Sequence, residues 1–81
     1  MEKMYYTYVL KSQKDDKLYI GWTDDIDGRL EAHNNGKVES TKNRVPFKVV
    51  YYEACLFRGK AIKREKQLKT GFGRKYLNDR I

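Results

Sequence analysis

The hydrophobic pattern along the first half of the chain predicts two strands followed by a helix. Residues 4–12 are mostly aromatic and β-branched, as is typical of strands, and a polar turn follows them. Residues 17–22 have the same character, so we predict a hairpin whose second strand ends at Gly21. Thr23 and Asp24 are both good N-caps, and Gly36 suits a C-cap, so we predict a helix over residues 25–35.

A hairpin turn centred on residues 14–15 fixes which residues of the two strands pair. Tyr8 then lies opposite Gly21, and Leu10 lies opposite Tyr19. Tyr8 and Tyr19 therefore become diagonal neighbours on one face of the sheet. Considered alone, an aromatic cross-strand cluster is the simplest explanation of this pair.

The predicted helix over residues 25–35 places two polar residues beside its apolar stripe. At about 100° per residue, Ile26 and Leu30 face the core, His33 lies between them and Arg29 lies to one flank. Arg29 cannot lose its charge by deprotonation, so we expect it to point into a cleft or to pair with a carboxylate. From these two residues alone, an arginine lying along the core edge and a half-buried histidine are the more frequent explanation.

The second half of the chain predicts one strand and two helices. Residues 37–46 are polar and rich in turn formers, so we expect a loop, and residues 47–54 predict a third strand. We predict helices over residues 58–69 and 74–79, with the glycines in residues 70–73 breaking the pattern between them. The order of elements is β-β-α-β-α-α, which belongs to the α+β class.

Glu65 falls inside the apolar stripe of the first of these two helices, together with Ala61 and Leu68. An isolated carboxylate at such a position costs several kcal/mol, so it requires a cation, a proton or a metal. An ion pair with Arg29 explains this position at least as well as a functional site does.

Length and composition indicate one small folded domain over residues 1–81. The chain has 81 residues, of which 40% are apolar and 14% aromatic, so it can bury a core and is not disordered. Its single cysteine, Cys55, excludes an internal disulfide and a thiolate-rich zinc site, and its apolar neighbours predict a core position. We find no membrane-spanning run and no signal peptide, so we expect a cytoplasmic protein.

The net charge of +7 is concentrated in the last third of the chain. Residues 1–57 carry nine Lys or Arg and nine Asp or Glu, whereas residues 58–81 carry nine Lys or Arg against Glu65 and Asp79. Such a basic segment suits a polyanion such as nucleic acid, although a lysine-coated helix that serves solubility explains it equally well. Residues 40–44 offer hydroxyl, amide and cationic groups to phosphates, or form an ordinary loop.

The sequence resembles the GIY-YIG nuclease superfamily, specifically its small single-domain bacterial members. Tyr19-Ile20-Gly21 spells the second motif of that superfamily, and Thr23, Arg29, His33 and Glu65 follow at the family's spacing. The first motif corresponds to residues 6–8, where only Tyr8 matches. Gly28, directly before Arg29, is a poor helix former.

The resemblance implies a three-stranded antiparallel sheet flanked by helices and metal-dependent hydrolysis of DNA. By this likeness, Tyr19 is the candidate general base or water-orienting group, and His33 activates or positions it. Tyr8 shapes the site, and Arg29 binds the scissile phosphate. Glu65 holds one divalent cation, Mg²⁺ or Mn²⁺. Asn78 corresponds less certainly to an amide found after the metal-binding glutamate in some members.

We expect the partner of the basic surface to be DNA rather than RNA, with no membrane association. The candidate phosphate-binding residues are Lys42, Arg44, Lys60, Lys63, Arg64, Arg74 and Lys75. A domain of this size has no evident module for reading bases, so targeting would come from a protein partner or from DNA structure. Two alternatives remain open: a nucleic-acid-binding module with a vestigial site, and a structural protein in which Glu65 and Arg29 form only an ion pair.

Overall fold

The computed structural model describes residues 3–81, which form three strands, three α-helices and one short 3₁₀ helix. The predicted order of elements is confirmed. In chain order the elements are β1 (Tyr5–Ser12), β2 (Leu18–Thr23), α1 (Ile26–Asn34), the 3₁₀ helix (Lys42–Arg44), β3 (Phe47–Cys55), α2 (Arg58–Leu68) and α3 (Gly71–Asn78).

The three strands form one antiparallel sheet, as the resemblance implies, and their order in the sheet is β2-β1-β3. The hairpin register is also confirmed, since Tyr8 pairs with Gly21 and Leu10 pairs with Tyr19. The two phenol rings are diagonal neighbours, with centroids 6.4 Å apart. The prediction that β2 ends at Gly21 is wrong, because pairing with β1 continues to Thr23.

Helices cover both faces of the sheet, so the alternating residues of β1 are buried on both sides. Tyr8 and Leu10 pack with Phe47 on the face that α1 covers. Val9 packs with Leu68 of α2 and Leu77 of α3 on the opposite face. The central strand therefore contributes to two thin apolar layers, and β2 forms an edge of the sheet beside both of them.

Helix α1 begins one residue later than predicted, because Asp25 is its N-cap. The Asp25 carboxylate accepts a hydrogen bond from the backbone N–H of Gly28 at 3.1 Å. A Cβ atom at Gly28 would collide with that carboxylate, which explains a glycine directly before Arg29. Gly36 follows the helix with φ of +72°, a conformation that favours glycine.

The interruption between α2 and α3 is shorter than predicted. Helix α2 ends at Leu68, and Thr70 caps α3 by accepting from the backbone N–H of Gly73 at 3.4 Å. The α3 helix therefore begins at Gly71 instead of residue 74. Gly73 lies against the backbone of Leu68, where a Cβ atom has no room, so this glycine permits close packing rather than breaking a helix. No helix within residues 3–81 is long and apolar enough to cross a membrane.

The predicted core position of Cys55 is wrong. Its side chain is half-buried at the end of β3, and its thiol lies beside the carbonyl of Phe57. Leu56 and Phe57 are 48% and 66% exposed. The chain leaves the sheet at this point, so the apolar neighbours of Cys55 do not cover it.

Candidate active site

Tyr8 occupies the centre of the site predicted from the sequence. Its hydroxyl lies 3.1 Å from Nε2 of His33 and 3.3 Å from Nε of Arg29, and its side chain is buried. Gly21 faces it across the hairpin, where an added Cβ atom would stand 2.5 Å from the Tyr8 hydroxyl. The glycine of the second motif is therefore required because it leaves room for the tyrosine of the first.

Donor and acceptor chemistry fixes the direction of the hydrogen bonds around His33. The Thr41 hydroxyl uses its hydrogen on the carbonyl of Val38, so a neutral His33 must donate from Nδ1 and accept at Nε2. Tyr8 accepts from Arg29, which can only donate, and gives its own hydrogen to Nε2. The proton on the ring then resides on Nδ1, which donates to Oγ1 of Thr41 at 2.7 Å. Thr41 in turn donates to the carbonyl of Val38 at 3.4 Å. His33 is therefore in the tautomer with its proton on Nδ1, and the hydrogen bonds run in one direction, from Tyr8 through His33 and Thr41 to Val38.

Burial keeps His33 neutral and Tyr8 protonated near neutral pH. Desolvation, helped by the nearby Arg29 charge, lowers the pKa of His33 to about 4. Burial raises the pKa of Tyr8, although the Arg29 hydrogen bond opposes part of this rise. Neutral His33 can accept the Tyr8 hydrogen bond, and that hydrogen bond holds the imidazole in place.

His33 contacts both phenols of the site, but it does so in two different ways. The Tyr19 ring packs edge-on against His33 with centroids 4.9 Å apart, whereas the hydrogen bond of Nε2 goes to Tyr8. His33 is fully buried, not half-buried, because Thr41 and Phe47 cover it. The imidazole therefore does not share a solvent-reachable hollow with the other groups, and it acts through Tyr8.

Thr41 is a positioning residue that the sequence did not identify. It was grouped with loop residues that could contact phosphate, but its side chain is buried and bonded to Nδ1 of His33. A threonine eight residues after a helical histidine carries no sequence signal for this contact. Only the path of the loop after α1 brings the two residues together.

Arg29 is anchored at one end and open at the other. Its Nε donates to Tyr8, and this hydrogen bond raises the pKa of the guanidinium. The Tyr19 hydroxyl also lies near the guanidinium and helps to raise its pKa, but among the described residues the two terminal nitrogens of Arg29 donate no short hydrogen bond. The side chain borders a cavity of about 310 Å³ that is also lined by Trp22, Thr23 and Asp24. The open side of the guanidinium can therefore receive an anion.

Glu65 lies close enough to this group to influence it electrostatically. Its carboxylate is one of the charges that raise the pKa of Tyr8, after burial and the opposing effect of Arg29. The side chain is 18% exposed, and its Oε2 accepts a hydrogen bond from Lys69 at 3.2 Å. The ion pair with Arg29 considered above is not formed within residues 3–81. Glu65 instead has an i, i+4 lysine partner.

The chemistry of Glu65 fits a cation that keeps most of its own water. Within residues 3–81, no group of three or more His, Cys, Asp or Glu side chains is placed to hold a metal. Mg²⁺ is commonly bound through one or two carboxylates and substrate phosphates, with waters completing its shell. Lys69 is 51% exposed, so its ammonium can leave the carboxylate at little cost. A closed zinc or calcium cage would not fit here.

The predicted phosphate-binding cations divide into paired and exposed residues. Lys42 pairs with Glu39 at 3.1 Å, and Arg44 pairs with Asp15 at 2.9 Å. Phosphate contacts by these residues would require the ion pairs to open. Four other candidates are exposed on α2 and α3, namely Lys60, Lys63, Arg74 and Lys75.

Arg64 belongs to a structural network on the outer edge of the sheet. Its guanidinium donates two-pronged hydrogen bonds to Glu53 at 2.9 and 3.0 Å. The Tyr51 hydroxyl also donates to Glu53, and Arg64 lies over the ring of Tyr76. This arrangement uses the charge of Arg64 to join β3 to α2 and α3.

Asn78 and Tyr19 border the same cavity, beside the edge strand β2. Asn78 is exposed at the last position of α3. The structure therefore brings the amide to the cavity that Tyr19 also borders, which is separate from the cavity beside Arg29.

Comparison with known proteins identifies the family of this chain. A sequence profile described as the GIY-YIG catalytic domain matches residues 4–78. A UPF0213 protein of Clostridium perfringens is 43% identical over 67 residues, which cover 82% of this chain and 71% of that protein. A UPF0213 protein of Staphylococcus haemolyticus is 39% identical over 67 residues, covering 82% and 80%.

A solved structure supports the same fold. The solution structure of a UPF0213 protein from Bacillus halodurans superimposes with a TM-score of 0.57 at 29% identity, covering 94% of this chain and 83% of that one. The match to the catalytic domain spans every strand and helix described above. The chain belongs to the GIY-YIG family, as one of its small bacterial UPF0213 members.

Proposed function

We propose that this protein is a divalent-metal-dependent endonuclease or nickase that hydrolyses DNA phosphodiester bonds with low intrinsic sequence specificity. The GIY-YIG domain places the chain in a nuclease superfamily. The metal requirement, the DNA substrate and the lack of sequence preference are our inferences from the site.

The observation that carries the proposal is the half-anchored guanidinium of Arg29. Tyr8 holds its Nε, and Tyr8 is itself held by His33 and Gly21. The remaining donors of the guanidinium form a planar fork, whose geometry matches two oxygens of a phosphate. A fork that is fixed before substrate arrives stabilises developing negative charge without reorganisation.

Tyr19 is the phenol that can reach the substrate. Its side chain is partly exposed, whereas Tyr8 is buried. Tyr19 orients the attacking water or takes its proton. Tyr19 lies close to the guanidinium of Arg29, so a water held by this phenol would lie beside the phosphate that Arg29 binds. His33 and Tyr8 hold Arg29 in position and do not touch the substrate.

Glu65 is the residue that would hold Mg²⁺ or Mn²⁺. A bound divalent ion supplies positive charge against the phosphate oxygens and the departing alkoxide. Lys69 must release the Glu65 carboxylate for this to occur, and its exposed position makes that release easy. The carboxylate and the guanidinium do not neutralise one another, because each has a different partner.

Low sequence specificity follows from what surrounds the site. The exposed cations of α2 and α3 suit contacts with the DNA backbone, which position a protein without reading sequence. Within residues 3–81, α2 and α3 pack their apolar faces into the core, and their outward faces carry the exposed cations named above. Targeting is therefore left to DNA structure or to a protein partner.

Plasmid nicking tests this function against the alternative of a non-catalytic binding module. We expect the protein to nick supercoiled DNA with Mg²⁺ or Mn²⁺, a chelator to stop the reaction, and Arg29→Ala to abolish it while circular dichroism shows the fold intact. Binding of DNA with no strand breaks under either ion would establish the non-catalytic module instead.

A further inference from the structure

A cavity of about 350 Å³ lies between the edge strand β2 and the junction of α2 and α3. It is distinct from the cavity beside Arg29, although Tyr19 forms part of its wall. Its size is at the lower end of the range for small-molecule pockets. The function proposed above assigns no role to the interior of this cavity.

The inner wall of the cavity is apolar. Leu68 and Leu77 are fully buried and form its base, and Ile20 lines it from the sheet. Leu18 completes the wall, but 37% of its side chain is exposed. The Tyr19 ring packs with Tyr8 and His33 on the opposite face of the sheet, so the exposed leucine and Ile20 provide the apolar surface on which a flat ring can lie.

The rim of the cavity is cationic. Lys69 and Arg74 both line it. Lys69 is shared with the site, because it pairs with Glu65. Arg74 is exposed, and among residues 3–81 its guanidinium forms no ion pair with a carboxylate and no side-chain hydrogen bond. The rim therefore presents the positive charge of Arg74, which pairs with no carboxylate in the described part of the chain.

We propose that this cavity binds one nucleotide of the DNA strand, next to the phosphate that is cleaved. The base lies against Leu18 and Ile20, and the nucleotide's phosphate is held by Arg74 and Lys69. This subsite requires the nucleotide to leave the base stack. It rests on the proposed nuclease function for its place in a reaction, but the binding itself does not require cleavage.

The combination of apolar wall and cationic rim favours a nucleotide over simpler ligands. A free phosphate would gain nothing from the leucines, and an apolar ligand would gain nothing from Arg74. The shared wall at Tyr19 places the bound nucleotide directly beside the candidate site.

Methyl NMR titrations without divalent metal test the subsite while excluding cleavage. The probes are thymidine 5′-monophosphate, thymidine and inorganic phosphate, each added to the full chain. We expect the methyl signals of Ile20, Leu68 and Leu77 to shift with the nucleotide, and much less with phosphate. Equal shifts with phosphate and nucleotide, or no methyl shifts with the nucleotide, would overturn the proposal.

A pair of neighbouring charge-removing variants provides the matched control. Arg74 lines this cavity, whereas Lys75 lies on another side of α3. We expect Arg74→Gln to weaken nucleotide binding roughly tenfold, as expected for loss of a charge-assisted hydrogen bond, and Lys75→Gln to weaken it far less. Equal losses would show that only the overall charge matters and would overturn the subsite.

A third variant tests the apolar wall independently of the cations. Leu18→Glu places a carboxylate at the cavity mouth, on a partly exposed edge-strand position that should tolerate it. We expect nucleotide binding to fall with the fold unchanged, and unchanged binding would contradict the proposal. Nucleotide binding without plasmid nicking would uphold the subsite and reject the nuclease, whereas nicking without nucleotide binding would do the reverse.

Discussion

Tyr8 donates its phenolic hydrogen to Nε2 of His33 across 3.1 Å, deep inside the sheet face that α1 covers. The same oxygen accepts from Nε of Arg29, so one buried phenol links the helix's imidazole to its guanidinium. Because Arg29 and His33 are separated by one turn of α1, Tyr8 bridges both of them from the central strand. The position of the candidate phosphate-binding group therefore depends on a hydrogen bond that solvent does not reach.

Loss of the Thr41 hydroxyl should disturb His33 without touching the surface. In Thr41→Val, Nδ1 of His33 loses its acceptor, and a buried unsatisfied donor costs about 1–3 kcal/mol. We expect the free energy of unfolding to fall by that amount, and nitrogen NMR to show a changed population of His33 tautomers. Ser40→Ala is the control at an exposed neighbouring residue. An unaltered tautomer in Thr41→Val would show that the assigned polarity is wrong.

The pKa of His33 predicts how stability depends on pH. The folded protein binds the proton with a pKa of about 4, whereas an exposed histidine has a pKa of about 6.5. As pH falls from about 6.5 to about 4, His33 becomes protonated in the unfolded chain but stays neutral in the folded protein. The free energy of unfolding therefore falls by about 3 kcal/mol over that window.

Proton NMR can follow this titration directly, because the chain has a single histidine. We expect its ring signals to remain those of neutral imidazole down to about pH 5, with urea unfolding showing lower stability at pH 5 than at pH 7. A ring that titrates near pH 6.5 in the folded protein would contradict the buried environment.

Gly21 should tolerate no side chain, although it lies in a strand. Gly21→Ala would place Cβ 2.5 Å from the Tyr8 hydroxyl, so the phenol must move away from His33 and Arg29. Overpacking of this kind costs about 1–3 kcal/mol, and we expect nuclease activity to fall more than stability alone explains.

Gly59→Ala is the matched control for that substitution. Nothing lies within 4 Å of a Cβ atom added at Gly59 in α2, so the variant should keep its stability or gain up to about 1 kcal/mol. The melting temperatures of the two variants, measured by thermal unfolding, give the comparison. Equal melting temperatures would show that Tyr8 adjusts freely, contrary to the tight packing seen here.

Arg64 should matter for stability more than for DNA binding. Arg64→Gln removes the two-pronged hydrogen bonds to Glu53, with an expected cost of about 1–3 kcal/mol. Lys63→Gln, at the adjacent exposed position, removes the same charge without breaking an ion pair. We expect the two variants to lose similar DNA affinity in a fluorescence anisotropy titration. A much larger loss for Arg64→Gln, with unchanged stability, would restore its predicted role as a phosphate contact.

Local patterns were sufficient to predict the elements and the hairpin register. Alternation along β1 and the turn position fix the pairing of Tyr8 with Gly21, because a shift by one residue would move every side chain to the other face. Helix ends were less predictable. Competing caps at Thr23, Asp24 and Asp25 differ only in the loop geometry, and the structure selects Asp25 because Gly28 accommodates its carboxylate.

The connections within the site could be predicted only in part. The motifs identify Tyr19, Arg29 and Glu65, but the pairing of His33 with Tyr8 instead of Tyr19 depends on how α1 lies across the sheet. The contact of Thr41 with His33 depends on the path of the intervening loop, which no periodicity encodes. Likewise, Asp15 appears as the partner of Arg44 only once the fold is known, whereas the i, i+4 spacing of Glu65 and Lys69 already makes that pair possible on the predicted helix.

The most direct test of the proposed function is the nicking rate of supercoiled plasmid in Mg²⁺ for two carboxylate variants. Glu65→Gln removes the candidate metal-binding group, whereas Glu31→Gln removes an equal charge from the exposed face of α1. We expect Glu65→Gln to lower the rate about 100-fold or more, in the range seen when charge stabilisation of a transition state is lost, while Glu31→Gln retains the wild-type rate. Equal rates for Glu65→Gln and the wild-type protein, or no Mg²⁺-dependent nicking by the wild-type protein at all, would contradict the account.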